Sequence, residues 1–168
     1  VTSTIAAPMS NRRLNILYVC THNRCRSILS EAVSNHFAGH MLNARSAGSH
    51  PAGQVHPESL SALHAEGIAT AGLYSKSWDD IGDFIPDVVI TVCDRAAGEV
   101  CPLWLGNTPK LHWGLIDPSA LDAGAVDRQQ AFGDCIALIR QRLEVLKDVA
   151  ALPEERWPAA FRALGDLS

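Results

Sequence analysis

No apolar run in this chain approaches the ~20 residues that a membrane span requires, so no transmembrane helix is expected. The opening residues, Val1 to Arg13, lack the hydrophobic core of a secretory leader and read as a loose polar tail. Positive charge is not in excess: 14 Lys and Arg against 18 Asp and Glu leave a net charge of −4. That balance argues against a dedicated binder of nucleic acid or of anionic membranes. There is no C-x2-C pair, and the seven histidines (22, 36, 40, 50, 56, 64 and 112) fall without ligand spacing. Neither a metal site nor a cofactor is expected from such a pattern. Five cysteines, an odd number, fit working thiols in the reducing cytoplasm better than a disulfide scaffold. Internal repeats and low-complexity linkers are missing as well.

What is present is a chain of 168 residues, 47% hydrophobic and 19% charged, long enough for one domain with a real core. Strand and helix signals alternate, the pattern of a three-layer α/β domain. Its open, mostly parallel four-stranded sheet is flanked by helices. The apolar run 14–19 predicts a central strand, 44–47 a short second one, 87–92 a buried third and 110–112 a fourth. Helical periodicity covers 27–38, a stretch opened by Pro57 and stopped by Gly67, and a long segment 126–149. One domain is expected over 14–150, with 1–13 as a tail. Residues 151–168 form an extension, expected as a short helix through Trp157, Phe161 and Leu164.

The densest chemistry follows the first strand: Cys20-Thr21-His22-Asn23-Arg24-Cys25-Arg26-Ser27. A strand delivers a cysteine to a short loop, and an arginine stands six positions later at a helix start. Successive N–H groups of residues 21–26 in such a loop can converge on one tetrahedral oxyanion, with the helix N-terminus and the Arg26 guanidinium adding positive potential. The same field is expected to favour the Cys20 thiolate, to which Ser27 can donate a hydrogen bond. Asn23 tolerates positive φ and helps curl the loop. Ligands of open parallel sheets sit beyond the carboxyl ends of the strands, where Cys20, Cys93 and Asp117 are all expected. Cys25 reads as a core thiol and Cys135 as helix packing. Arg24 faces either an anion or solvent, and Trp104 and Trp113 either shield the site or pack.

These segments, with Ser46-Ala47-Gly48, Val92-Cys93-Asp94 through Cys101-Pro102, and His112-Trp113-Gly114 to Asp117-Pro118, resemble the low-molecular-weight tyrosine phosphatase superfamily. More closely, they resemble the arsenate reductases built on that fold. The resemblance implies Cys20 as nucleophile, Arg26 and the loop 21–26 as oxyanion binders, and Asp117 as general acid. It implies Cys93 and Cys101 as resolving thiols, which a phosphatase does not need, joined by a polar segment rich in small residues. It also implies Asn23, Glu31 and Ser46 as loop support, at positions where some relatives bind potassium. Lys76 stands where those relatives carry a carboxylate, so its ammonium is expected to replace the ion. Two departures stand out. Residue 22 is His where the family commonly has Gly, and the 93–101 spacing is one residue longer than in the best-known thioredoxin-coupled reductases. Thioredoxin and glutaredoxin–glutathione therefore both stay open as electron donors, with arsenate as substrate and phosphate or sulfate as competing oxyanions. The runner-up is a phosphotyrosine or small phosphomonoester phosphatase. Against it, Ser119-Ala120-Leu121 puts no aromatic wall after the Asp-Pro pair.

Overall fold

The computed structural model describes residues 12–93, 106–120 and 124–167. Four strands, β1 (Leu14–Val19), β2 (Leu42–Ala47), β3 (Val88–Thr91) and β4 (Lys110–His112), form one parallel sheet in the order β2-β1-β3-β4. Helices α1 (Arg26–Ala38), α2 (Pro57–Ala65), α3 (Ala125–Ala150) and α4 (Trp157–Leu167) flank it, giving the three-layer α/β architecture. β1 and β3 are buried along almost their whole length, as strands covered on both faces must be. β2 begins at Leu42, two residues before the apolar signal at Ala44, because Leu42 is itself buried and pairs with Leu14. β3 is shorter than the run 87–92. The Asp87 carboxylate instead accepts the Asn15 amide at 2.8 Å and both terminal nitrogens of Arg12.

β2 is an edge strand, and its free side is blocked. The Asn35 side chain of α1 accepts from Ala44 N and donates to Ala44 O, both at 2.9 Å, imitating a neighbouring strand. At the other edge α4 lies against β4, with Trp157 and Phe161 buried in the same core as Leu111, Ile136 and Leu146. No described helix is long and apolar enough to cross a membrane.

The strand order fixes the site. From β1 the chain moves to β2 on one side, while β3 and β4 lie on the other, so the order reverses between β1 and β3. Their carboxyl ends are in register, Val19 opposite Thr91, and Val92 N donates to Val19 O at 2.9 Å. Cys20 and Cys93 therefore leave the sheet side by side.

Candidate active site

The loop between β1 and α1 is held from outside by its carbonyls. Thr21 O accepts from His50 N, His22 O from Ala52 N and the Ser75 hydroxyl, and Arg24 O from His56 N and the Ser59 hydroxyl, at 2.9 to 3.4 Å. In a trans peptide the N–H opposes the C=O, so turning these carbonyls outward turns the amides of 22, 23 and 25 toward the concave face. Asn23 makes the curl with φ of 46°, the one non-glycine positive φ among the described residues. Its buried side chain ties the loop together: Nδ2 donates to Ser27 Oγ at 2.8 Å, and Oδ1 accepts from Lys76 N at 2.9 Å.

The Cys20 Sγ lies 2.8 Å from Ser27 Oγ at the first turn of α1. Because that hydroxyl accepts from Asn23, its own hydrogen is available to the sulfur. Cys93 is 3% exposed, and its Sγ sits 3.4 Å from Thr21 N and 3.6 Å from Thr21 Oγ1. A second sulfur thus touches the residue that follows the first. Arg26 donates to Leu115 O at 3.2 Å and faces Asp117 Oδ2 at 3.5 Å. Asp117 Oδ1 accepts from the Ser119 amide and hydroxyl at 2.9 and 2.7 Å, which orients the carboxylate.

Behind the loop, Glu31 accepts from Ser46 Oγ at 2.5 Å and faces the Lys76 ammonium at 3.6 Å. Burial pushes the Glu31 carboxyl up and the Lys76 ammonium down, while each partner opposes the other's shift. The Lys76 Nζ also donates to Tyr74 O and lies over the Tyr74 ring at 4.4 Å. Among the described residues no group of three or more His, Cys, Asp or Glu side chains could hold a metal ion.

Thr21, Asn23, Cys25, Ser27, Glu31, Ser46 and Lys76 are buried. His22 and Arg24 are exposed on the rim, where His22 Nδ1 donates to His50 O at 3.0 Å. Cys101 and Trp104 lie outside the described residues. Sequence reasoning passed over Ser59, Ser75 and Ser119, single hydroxyls whose roles arise only when distant segments meet.

Cys25 and Cys135 are buried thiols of a different character. Burial pushes Cys25 from 9.0 up to about 12, a hydrogen bond to Ser59 opposing, and Cys135 from 9.0 up to about 11, Arg26 opposing. Both stay protonated in the folded chain at a pH where they ionise in the unfolded one. Their stabilising contribution is complete below pH 9.0 and is lost as pH rises toward 11 and 12. A Cys25→Ala/Cys135→Ala variant is therefore expected to lose less thermal stability than the parent between about pH 9 and 11. Equal losses in a pH series of unfolding midpoints would refute this.

A family model described as low molecular weight phosphotyrosine protein phosphatase matches residues 15–156. An arsenate reductase of Halalkalibacterium halodurans is 31% identical over 117 residues, 70% of this chain and 83% of its own length. Arsenate reductase 1 of Bacillus cereus is 33% identical over 121 residues, covering 71% and 87%. Among solved structures, the thioredoxin-dependent arsenate reductase of Corynebacterium glutamicum superposes with a TM-score of 0.63 at 28% identity, over 82% of this chain and 64% of that one. The cysteine loop, the Asp117 carboxylate facing Arg26 and these likenesses agree: the chain belongs to the low molecular weight phosphotyrosine protein phosphatase family and is similar, within it, to arsenate reductases.

Proposed function

We infer that this chain reduces arsenate to arsenite through a relay of thiols, Cys20 to Cys93 to Cys101. The observation that carries the reading is the second sulfur: Cys93, held against Thr21 beside the nucleophile, is a group a hydrolase does not need. Arsenate binds the loop amides and Arg26, and phosphate and sulfate compete because they share its shape and charge. The Cys20 sulfur attacks arsenic, and one oxygen leaves as water, taking its proton from Asp117. Cys93 then attacks the Cys20 sulfur. The S–S bond forms, the S–As bond breaks, and its electron pair stays on arsenic, which leaves as arsenite. Two thiols have lost two electrons and arsenic has gained them. Cys101 attacks Cys93 next, freeing Cys20 and leaving a Cys93–Cys101 disulfide for an external dithiol. The thioredoxin-dependent relative supports thioredoxin as that donor. Starting from reduced thiols, the cycle belongs in the cytoplasm.

The test follows NADPH loss by reduced protein with arsenate in two arms, thioredoxin with its reductase and glutaredoxin with glutathione and its reductase. Hydrolysis of p-nitrophenyl phosphate is measured beside them. Arsenate-dependent NADPH oxidation in the thioredoxin arm is expected, at equal rates in sodium and potassium buffers because Lys76 already places a cation behind the loop. Hydrolysis with no NADPH oxidation in either arm would make the chain a phosphatase.

A further inference from the structure

The segment that carries Asp117 is gripped from two sides. Its amides continue the sheet: Trp113 N donates to Thr91 O and Leu115 N to Val92 O, both at 2.9 Å. Its carbonyls leave the sheet edge and end on guanidinium groups. Arg26 takes Leu115 O from the site side. From α3, which packs against α1, Arg142 Nη1 donates to Trp113 O at 2.7 Å and Nη2 to Gly114 O at 3.1 Å. Three consecutive carbonyls are therefore bound by two forks, and two residues further on the chain presents the acid. Ile116, between them, is 92% exposed and contributes no packing that would hold Asp117.

Arg142 is an unusual donor to leave half-buried. Burial pulls its pKa down, yet a guanidinium remains charged across the pH range of proteins. Its Cζ also lies 5.7 Å from the Trp113 ring centre. Arg142 lines a small cleft together with Tyr18, Ile90, Val92 and Ile139, and its two hydrogen bonds fix the direction of the fork. A lysine there has the charge but not two parallel N–H groups, and reaches one carbonyl at a time.

We propose that Arg142 is a positioning residue for the reaction: by clamping the carbonyls of Trp113 and Gly114 it sets the reach of Asp117 over the oxyanion. This rests on Asp117 acting as the acid. Arg142 touches neither substrate nor the reacting sulfur, and its effect passes through the acid loop. A clamp of this kind alters the rate of the step that needs the proton. It leaves anion binding, which belongs to the 21–26 loop and Arg26, close to its original strength.

The test is a single turnover with pre-reduced protein and arsenate, counting thiols lost against time, so no external donor is needed. Maximal rate and half-saturating arsenate are measured for the parent, Arg142→Met, Arg142→Lys, Asp117→Asn and Asp117→Asn/Arg142→Met. Asp117→Asn is expected to slow the maximal rate ~100-fold. Arg142→Met is expected to slow it ~10-fold, with half-saturation changed less than about twofold and Arg142→Lys recovering part of the loss. In the double variant Arg142→Met should add less than about twofold to Asp117→Asn alone, since a clamp has nothing to position once the acid is gone. Full multiplication of the two losses, a parent-like rate in Arg142→Met, or a loss confined to half-saturation would each overturn the clamp. If Asp117→Asn itself runs at the parent rate, the acid assignment fails and the clamp with it. Should Arg142→Met unfold, as far-UV circular dichroism would show, Arg142→Lys and its Asp117→Asn double carry the same comparison.

Discussion

Cys93→Ser is expected to lower steady-state arsenate reduction at least ~1,000-fold while phosphate binding stays within about twofold of the parent. The two readouts separate because the proposed relay gives the two sulfurs different work. Cys20 sits at the loop, with Ser27 Oγ 2.8 Å away, a contact that does not involve residue 93. A serine at 93 still offers Thr21 a hydrogen-bonding oxygen in place of the sulfur, so the loop keeps its support. What disappears in the proposed relay is the attack on Cys20 that breaks the S–As bond, for an alcohol oxygen cannot form the disulfide that supplies the two electrons. Cys25 is no substitute, since burial pushes its thiol up to about 12 and leaves almost no thiolate near neutrality. Arsenite release and calorimetric titration with inorganic phosphate are the measurements. Parent-like arsenite release would sink the relay. Loss of phosphate binding in step with turnover would mean that Cys93 supports the loop rather than the chemistry.

The parts of this site that read from the sequence are those made locally. An apolar run, a cysteine, an asparagine able to take positive φ and an arginine followed by helical periodicity lie within 14–38, so strand, loop and helix start are specified by neighbours in the chain. Cys93 and Asp117 were legible one step further out, through the rule that parallel strands deliver chemistry at their carboxyl ends. The rest depends on register. Gly48 matters because β2 ends level with β1, Val19 opposite Ala47, which brings the residue after β2 against the residues after β1. Arg142 lies on the flank of the apolar stripe of α3, where sequence alone reads an ordinary solvated charge. Asn35 imitates a strand from within a helix, and no periodicity announces that. The first residues of β2 escaped for a related reason: Asn43 interrupts the apolar signal, although Leu42 on its other side is fully buried.

Gly48→Ala is expected to weaken phosphate and arsenate binding ~100-fold and to destabilise the chain by about 1–3 kcal/mol. A Cβ at residue 48 would stand 2.5 Å from Thr21 O, 2.8 Å from Cys20 O and 3.0 Å from Asn23 N. All three are backbone atoms of the loop between β1 and α1, so no side chain can swing aside to make room. Residue 48 cannot retreat either, because Gly48 N donates to Lys76 O at 2.9 Å and Gly48 O accepts from Trp78 N at 3.1 Å. The loop itself has to shift, and with it the amides proposed to hold the anion, and the sulfur beside Ser27. Gly133→Ala makes the same chemical change inside α3, where a Cβ meets nothing within 4 Å. There the expected sign is reversed, a gain of about 0.5–1 kcal/mol from helix propensity with binding unchanged. Thermal unfolding and calorimetric titration with phosphate on the two variants read both quantities. If Gly48→Ala binds phosphate as the parent does, the loop is more compliant than its hydrogen bonds to 48–59 and 75–76 allow. The argument from a fixed ring of amides would then fail.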